Sequence, residues 1–254
     1  MISIKSKKEI ETMREGGKIL AGIMQKIEKN VVPGKNTLEL DELATELVFA
    51  NGGVPSFKGY GEETGNPFPA TICASLNSEV VHGIPAKNKI LKVGDIFKVD
   101  IGMKYKGLHT DMARTYVVGE CSEQARKLIQ VTEQSFWEGT KKIGPNKMLS
   151  DYSKAAQKCI ESQRFSVVRN LVGHGVGREL HEDPQIPNYY NKKYQDFKLA
   201  PGMTLALEPM VNVGGFETKL GQDGWVFLTR DGSLSAHYEN TILITEGGVE
   251  VLTK

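Results

Sequence analysis

Asp100, Asp111, His174, Glu208, His237 and Glu239 are the side chains whose types and spacing point to chemistry. The first two flank a Tyr105-Lys106-Gly107 turn signal, with strand-forming residues on both sides, so VDIGMKYKGLHTD predicts a β-hairpin. With the turn centred between Tyr105 and Lys106, Asp100 faces Asp111 across the ladder. Two carboxylates about 4 Å apart repel by on the order of 4 kcal/mol at an effective dielectric of about 20. A cation between them removes that cost. For the hairpin alone, a slipped register with both acids solvated is the competing reading.

His174 lies in the glycine-rich Gly173-His174-Gly175-Val176-Gly177, and Glu208 follows the strand-like Thr204 to Leu207, ahead of Pro209. In His237-Tyr238-Glu239, read as one strand, the period of two puts His237 and Glu239 on one face. Four carboxylates with an imidazole form a hard, oxygen-rich donor set. Two divalent ions bring +4 against −4, which favours Mn, Fe, Co or Zn over a thiolate-bound structural zinc.

Helices and strands must position these groups. Ser6-Lys7-Lys8-Glu9 is a capping box that opens a helix to about Lys29, striped by Ile10, Met13, Leu20, Met24 and Ile27. Gly16 and Gly17 mark a place where another backbone packs close. Asn36 opens a second helix with Leu40, Leu43 and Leu47 inward, and Pro55 to Pro69 reads as a loop. Ile72 to Leu76 and Glu79 to Val81 are short strands, and the strand after the hairpin turn runs from Asp111 to Val118. A third helix starts near Ser122, and a fourth spans about Ser150 to Glu161 with Ala155, Cys159 and Ile160 inward. Phe165 to Val168 is a strand, His181 to Asp196 a loop, and Tyr238 to Thr245 and Val249 to Leu252 the last strands.

The order of helix, helix, strands occurs twice. Gly94 to Asp100 aligns with Gly202 to Glu208 at a shift of 108 residues, each a glycine, a strand and an acid six places on. An internal duplication follows, with halves of about 6–119 and 121–254 inside a single domain of 1–254. Two such halves pack their sheets together with helices outside, and a site on the pseudo-twofold receives acids from both.

Composition narrows the function classes. A formal charge of +1, with no Lys/Arg run interleaved with aromatics, argues against nucleic acid as a partner. No stretch approaches about 18 consecutive apolar residues, and the first 20 residues lack a signal-peptide core, so no membrane association and a cytoplasmic location are expected. Cys73, Cys121 and Cys159 are odd in number and lack CxxC spacing, so reduced thiols are expected.

The segments VVHGIP, VDIGMKYKGLHTDMARTY, GHGVGRELHEDP, GMTLALEP and AHYENTILIT resemble those of type I methionine aminopeptidases, along essentially the whole chain. The resemblance implies an α/β (α+β) pita-bread fold: two duplicated halves about a pseudo-twofold, with a curved, mostly antiparallel sheet covered by helices. It implies a dinuclear metallo-exopeptidase that removes initiator methionine from nascent chains when the second residue is small. Asp100, Asp111 and Glu239 would hold one metal, and Asp111, His174, Glu208 and Glu239 the other. Glu208 matches the general base, His181 the donor to the developing oxyanion, and His82 the histidine near the scissile amide. Tyr60, Phe68, Cys73 and Trp225 fall at or near positions lining the methionine pocket. Two departures stand out: the Tyr60 to Phe68 loop is longer than usual, and Gly102 stands where a hydroxyl residue commonly supports the metals. Type II relatives insert a helical subdomain between the His and Glu ligands, whereas His174 and Glu208 are 34 positions apart. Prolidase-like relatives carry an additional N-terminal domain, and this chain begins at the first helix of the peptidase unit. A metal-free binding module of the same fold would have lost ligands. A monomer is expected, and ribosome contact is left open.

Overall fold

The first helix, α1 (Lys7–Glu28), begins at the capping box: Ser6 Oγ accepts from Glu9 N, and Glu9 Oε2 accepts from Ser6 N at 2.7 Å. The computed structural model describes residues 2–254. Three further α-helices follow, α2 (Thr37–Ala50), α3 (Glu123–Thr140) and α4 (Leu149–Ser162), capped at the first two N-termini by Asn36 and Ser122. A Cβ on Gly17 would lie 2.4 Å from the Leu252 carbonyl oxygen, so this glycine lets α1 press directly on the C-terminal strand region. None of the helices among the described residues is long and apolar enough to cross a membrane.

The hairpin exists, with a different register from the one expected. Ile96–Tyr105 pairs with Leu108–Val117 through a two-residue turn of Lys106 (φ 47°) and Gly107 (φ 88°). Two consecutive positive φ angles match the strand twist, which is why such turns close hairpins. The turn is therefore centred between Lys106 and Gly107, not between Tyr105 and Lys106. Asp100 pairs with Ala113, and Asp111 with Gly102, leaving the two acids as diagonal neighbours on one face.

This hairpin is the middle of a nine-stranded, antiparallel sheet. Its path runs Gly53–Pro55, Ile96–Tyr105, Leu108–Val117, Glu239–Thr245, Thr204–Leu207, Gly173–Gly175 and Glu182–Ile186, with Ile72–Leu76 and Gly248–Val251 added at its sides. A smaller sheet sets Met210–Asn212 between Ser166–Val167 and Ser235–His237. Another sets Phe227–Thr229 between Glu79–Val81 and Thr218–Leu220. His237 and Glu239 thus end one strand and begin the next, in different sheets, rather than sharing a single strand. The segment after His181, expected as loop, includes the strand Glu182–Ile186.

Helices cover the outer face in pairs. Leu20, Ile23 and Ile27 of α1 and Leu40 and Val48 of α2 pack on Val99, Ile101 and Met103, while Phe136 of α3 and Tyr152 of α4 pack on Leu205, Leu207 and Ile242. Alternation along Ile96–Tyr105 sends Val99 and Ile101 to the helices and Asp100 to the opposite face. Two helix faces turn differently from expectation. In α2 the buried stripe is Leu40, Asp41, Ala44 and Val48, with Leu43 and Leu47 only half-buried. In α4 it is Tyr152, Ser153, Ala156 and Ile160, leaving Ala155 and Cys159 half-buried. The reason is packing: Asp41 goes inward because its carboxylate accepts from Thr71 N (2.8 Å) and Ile72 N (2.9 Å), capping the strand that carries Cys73.

Candidate metal centre

Backbone constraints aim the acids before any metal is considered. Asp111 N donates to Thr241 Oγ1 at 2.8 Å and Thr241 Oγ1 donates to the Asp111 carbonyl at 2.9 Å, locking the strand of Asp111 to that of Glu239. Arg114 Nη1 donates to the Glu239 carbonyl at 2.6 Å, and Nη2 to Asn240 Oδ1 at 2.8 Å. Its guanidinium also lies over the Tyr238 ring. Glu208 follows its strand in the same sheet, and the ladder sets His174 of the neighbouring strand opposite Ala206.

Asp100, Asp111, His174, Glu208 and Glu239 consequently converge on the floor of one cavity. Single donor atoms of Asp111, His174 and Glu239 lie within 4.8 Å of one another. His174 Nε2 lies 3.6 Å from Glu208 Oε1. Its Nδ1 is 2.8 Å from the Gly175 carbonyl, which can only accept; the proton is on Nδ1, and Nε2 presents a lone pair.

Electrostatics make the set costly to ionise without a cation. Burial pushes the carboxyls of Asp100, Glu208 and Glu239 well above their ordinary range, and the neighbouring acids push them further. Asp111 rises to about 7 through burial, against hydrogen bonds that lower it. Asp100 Oδ1, Asp111 Oδ1 and Glu239 Oε1 are buried with no hydrogen-bond partner among the described residues. Buried acceptors left unpaired are costly, and hard divalent ions satisfy oxygens of this kind. The residues present therefore fit divalent metal. His174 and His237 fall to about 3 because burial penalises the imidazolium, so both rings are neutral, as a metal ligand requires.

The other residues singled out from the sequence line the same cavity: Tyr60, Phe68, Cys73, His82, His181 and Trp225. Cys73 pairs with Asp100 in the ladder, and burial and the surrounding acids push its thiol up, so it stays protonated. Tyr60 Oη lies 2.6 Å from His181 Nδ1. His82 holds a left-handed backbone (φ 58°), and burial, with His181 nearby, lowers its pKa to about 4. Its ring stands edge-on to Trp225 and Phe227. Phe57, Val81, Leu171, Val172, Leu180 and Met210 complete the wall. Sequence reasoning missed these six as site residues, since an apolar wall residue has the same signal as a core residue.

Both departures have structural counterparts. A Cβ at Gly102 would meet Phe57 Cε1 at 2.8 Å and Ser56 Cβ at 2.9 Å, so side chains from the 56–57 segment occupy that space. The long Tyr60–Phe68 loop folds back through Phe68 N to the Tyr60 carbonyl and a turn at Glu62–Thr64. It then docks on the opposite rim, where Trp225 Nε1 donates to the Asn66 carbonyl at 3.0 Å.

A metal-compatible acid cluster inside this curved sheet agrees with the match of residues 11–246 to the metallopeptidase family M24 sequence model. The chain belongs to metallopeptidase family M24. Within M24 it belongs with the methionine aminopeptidases: that of Clostridium acetobutylicum is 47% identical over 253 residues, covering 100% of this chain and 99% of the relative. Methionine aminopeptidase 1 of Bacillus subtilis is 46% identical, with 100% of both chains covered. The crystal structure of the Thermotoga maritima methionine aminopeptidase superposes with a TM-score of 0.95 at 46% identity, covering all of both chains. The Pyrococcus furiosus prolidase shares the M24 pita-bread fold, with a TM-score of 0.79 at 24% identity over 99% of this chain and 65% of that one.

Proposed function

We propose that this chain is a type I methionine aminopeptidase, removing the initiator methionine from new polypeptides in the cytoplasm with two divalent ions, Co, Mn, Fe or Zn. The observation that carries this reading is the convergence of three buried carboxylates, the half-buried Glu208 and the lone pair of His174, with orphaned oxygens, beneath an aromatic and thiol wall. Asp100, Asp111 and Glu239 would hold one ion; Asp111, His174, Glu208 and Glu239 the other. The spacing of His174 and Glu208, 34 positions, supports type I. The duplicated halves, 6–119 and 121–254, belong to the same reading: α1 and α2 cover Val99 and Ile101 as α3 and α4 cover Leu205 and Leu207.

Bound divalent ions would supply Lewis acidity and make a water acidic near neutral pH. With the ions bound, Glu208 would take a proton from the attacking water and pass it to the leaving amine. His181, its Nδ1 facing the Tyr60 hydroxyl, presents Nε2–H to the developing oxyanion. His82 contacts the substrate beside the scissile amide. Phe57, Phe68, Cys73 and Trp225 enclose the methionine side chain, a soft thioether suited to apolar and aromatic walls.

Hydrolysis of Met-Ala-Ser, compared with Ala-Pro peptides, tests the reading when Mn or Co is restored to chelated protein. Metal-dependent release of methionine alone is expected. Glu208→Gln should fold and lose turnover, and near-normal turnover in that variant removes Glu208 as the base.

A further inference from the structure

His237 is a buried histidine that the five-ligand arrangement leaves without a task. Its side chain is 1% exposed, and unlike His109, bonded to Ser56 Oγ, it has no hydrogen-bond partner for either ring nitrogen among the described residues. Its position is nonetheless built. Thr115, on the strand of Asp111, bonds both backbone groups of His237: Oγ1 accepts from N at 2.9 Å and donates to the carbonyl at 2.7 Å. The ring is thereby carried to the acids, with Nε2 at 3.6 Å from Glu208 Oε2 and 3.9 Å from Glu239 Oε2.

Glu208 therefore stands between two histidines, His174 Nε2 beside Oε1 and His237 Nε2 beside Oε2. The two rings differ in tautomer. The Gly175 carbonyl holds the proton of His174 on Nδ1. Among the described residues nothing accepts a proton from Nδ1 of His237, and the groups facing its Nε2 are the carboxyls of Glu208 and Glu239, which accept only once divalent ions have displaced their protons. With the proton on Nδ1, a buried N–H would be orphaned while a lone pair faced two anions. With the proton on Nε2, the ring offers those anions a donor.

We propose that His237 is a positioning residue of the metal centre, its Nε2–H directed at the Glu208 carboxylate so that Oε1 is left turned toward the His174 side. The separation is slightly beyond hydrogen-bond reach, as is common for active-site contacts that tighten only when the site is filled. This rests on the reading that Glu208 and Glu239 take up metal. Outer partners that orient ligands cost about 10- to 100-fold in metal affinity when removed.

The test is calorimetric titration of chelated protein with Mn(II), for the wild type, His237→Leu and His237→Gln. Leucine removes the donor, and glutamine keeps an N–H of similar reach. His237→Leu should weaken uptake of one ion about 10- to 100-fold, and His237→Gln should restore it. Equal affinity in His237→Leu, or equal weakness in both variants, overturns the proposal. Should neither variant fold, long-range proton–nitrogen correlation on the Zn(II)-loaded wild type decides: a proton on Nε2 of His237 supports it, and one on Nδ1 overturns it. Wild-type protein that takes up no Mn(II) defeats the metal reading itself, and the proposal falls with it.

Discussion

Tyr60 Oη lies 2.6 Å from His181 Nδ1, joining a loop on one rim of the cleft to the turn that follows Arg178. With the phenol donating, the ring proton of His181 is on Nε2. Tyr60→Phe keeps the aromatic wall and removes this constraint. A neutral hydrogen bond contributes about 1 kcal/mol, so a fall in kcat of about fivefold is expected with little change in KM. Steady-state kinetics on a methionyl peptide check it, and an unaltered kcat would mean that the tautomer of His181 is set elsewhere.

Gly102 faces Asp111 across the hairpin, in space already occupied by Ser56 and Phe57. Gly102→Ala forces Phe57, a wall residue, to move. Overpacking of this kind costs about 1 to 3 kcal/mol, which lowers Tm on the order of 5 °C in a chain of this size. The same displacement narrows the pocket and should raise KM. Calorimetry and kinetics on one preparation report both, and unchanged values would show that Phe57 yields freely.

How far the sequence reached follows from the range of each interaction. The Ser6 capping box, the glycine contact of α1 and Glu208 at the end of its strand are local patterns, and the structure has them where the residues point, whereas Asp100 and Asp111, expected at strand ends, lie inside Ile96–Tyr105 and Leu108–Val117 because the hairpin ladder continues past them to the turn. Hairpin register was out of reach, because Tyr105-Lys106-Gly107 accommodates either centre and only the backbone at Lys106, φ 47°, selects one. The same holds for α2 and α4, where Asp41 and Ser153 are buried polar residues held inward by bonds to Thr71 and Ile72 and to the Pro187 carbonyl. Docking of the 61–66 segment against Trp225 joins parts of the chain too distant for any periodicity to register.

Lys5 makes a similar long-range tie. Its Nζ, on a fully buried side chain, lies 2.5 Å from Glu182 Oε2, and Glu182 Oε1 accepts from Arg178 N and Glu179 N. The carboxylate beside His181 is thus anchored by the N-terminal segment. Lys5→Met leaves Glu182 uncompensated at a cost of about 3 kcal/mol, since breaking one side of a buried pair strands the other charge. Chemical denaturation should show that loss, and Lys5→Met/Glu182→Gln should recover part of it. A double variant no more stable than Lys5→Met would assign the loss to packing.

The pH dependence of the metal-free protein follows from the acid cluster. Asp100, Glu208 and Glu239 are raised well above their ordinary range and Asp111 to about 7, so the folded state holds protons that the unfolded state releases above about pH 4. Stability from these groups is complete below that value and is lost as pH rises through their folded values. His82, His174 and His237, lowered to about 4, 3 and 3, act in the opposite sense, but their contribution is complete by about pH 7. Lys98, lowered to about 7 by burial, also opposes the acids above that pH. Those opposing groups are common to the metal-free and loaded forms, so they largely cancel in the difference between the two. Divalent ions bind the ionised carboxylates and displace their protons, so the gain in Tm on adding Mn(II) should grow from about pH 6 to 8. Parallel thermal scans with chelator and with Mn(II) measure it, and a gain independent of pH would mean that the four carboxyls are already ionised in the metal-free fold.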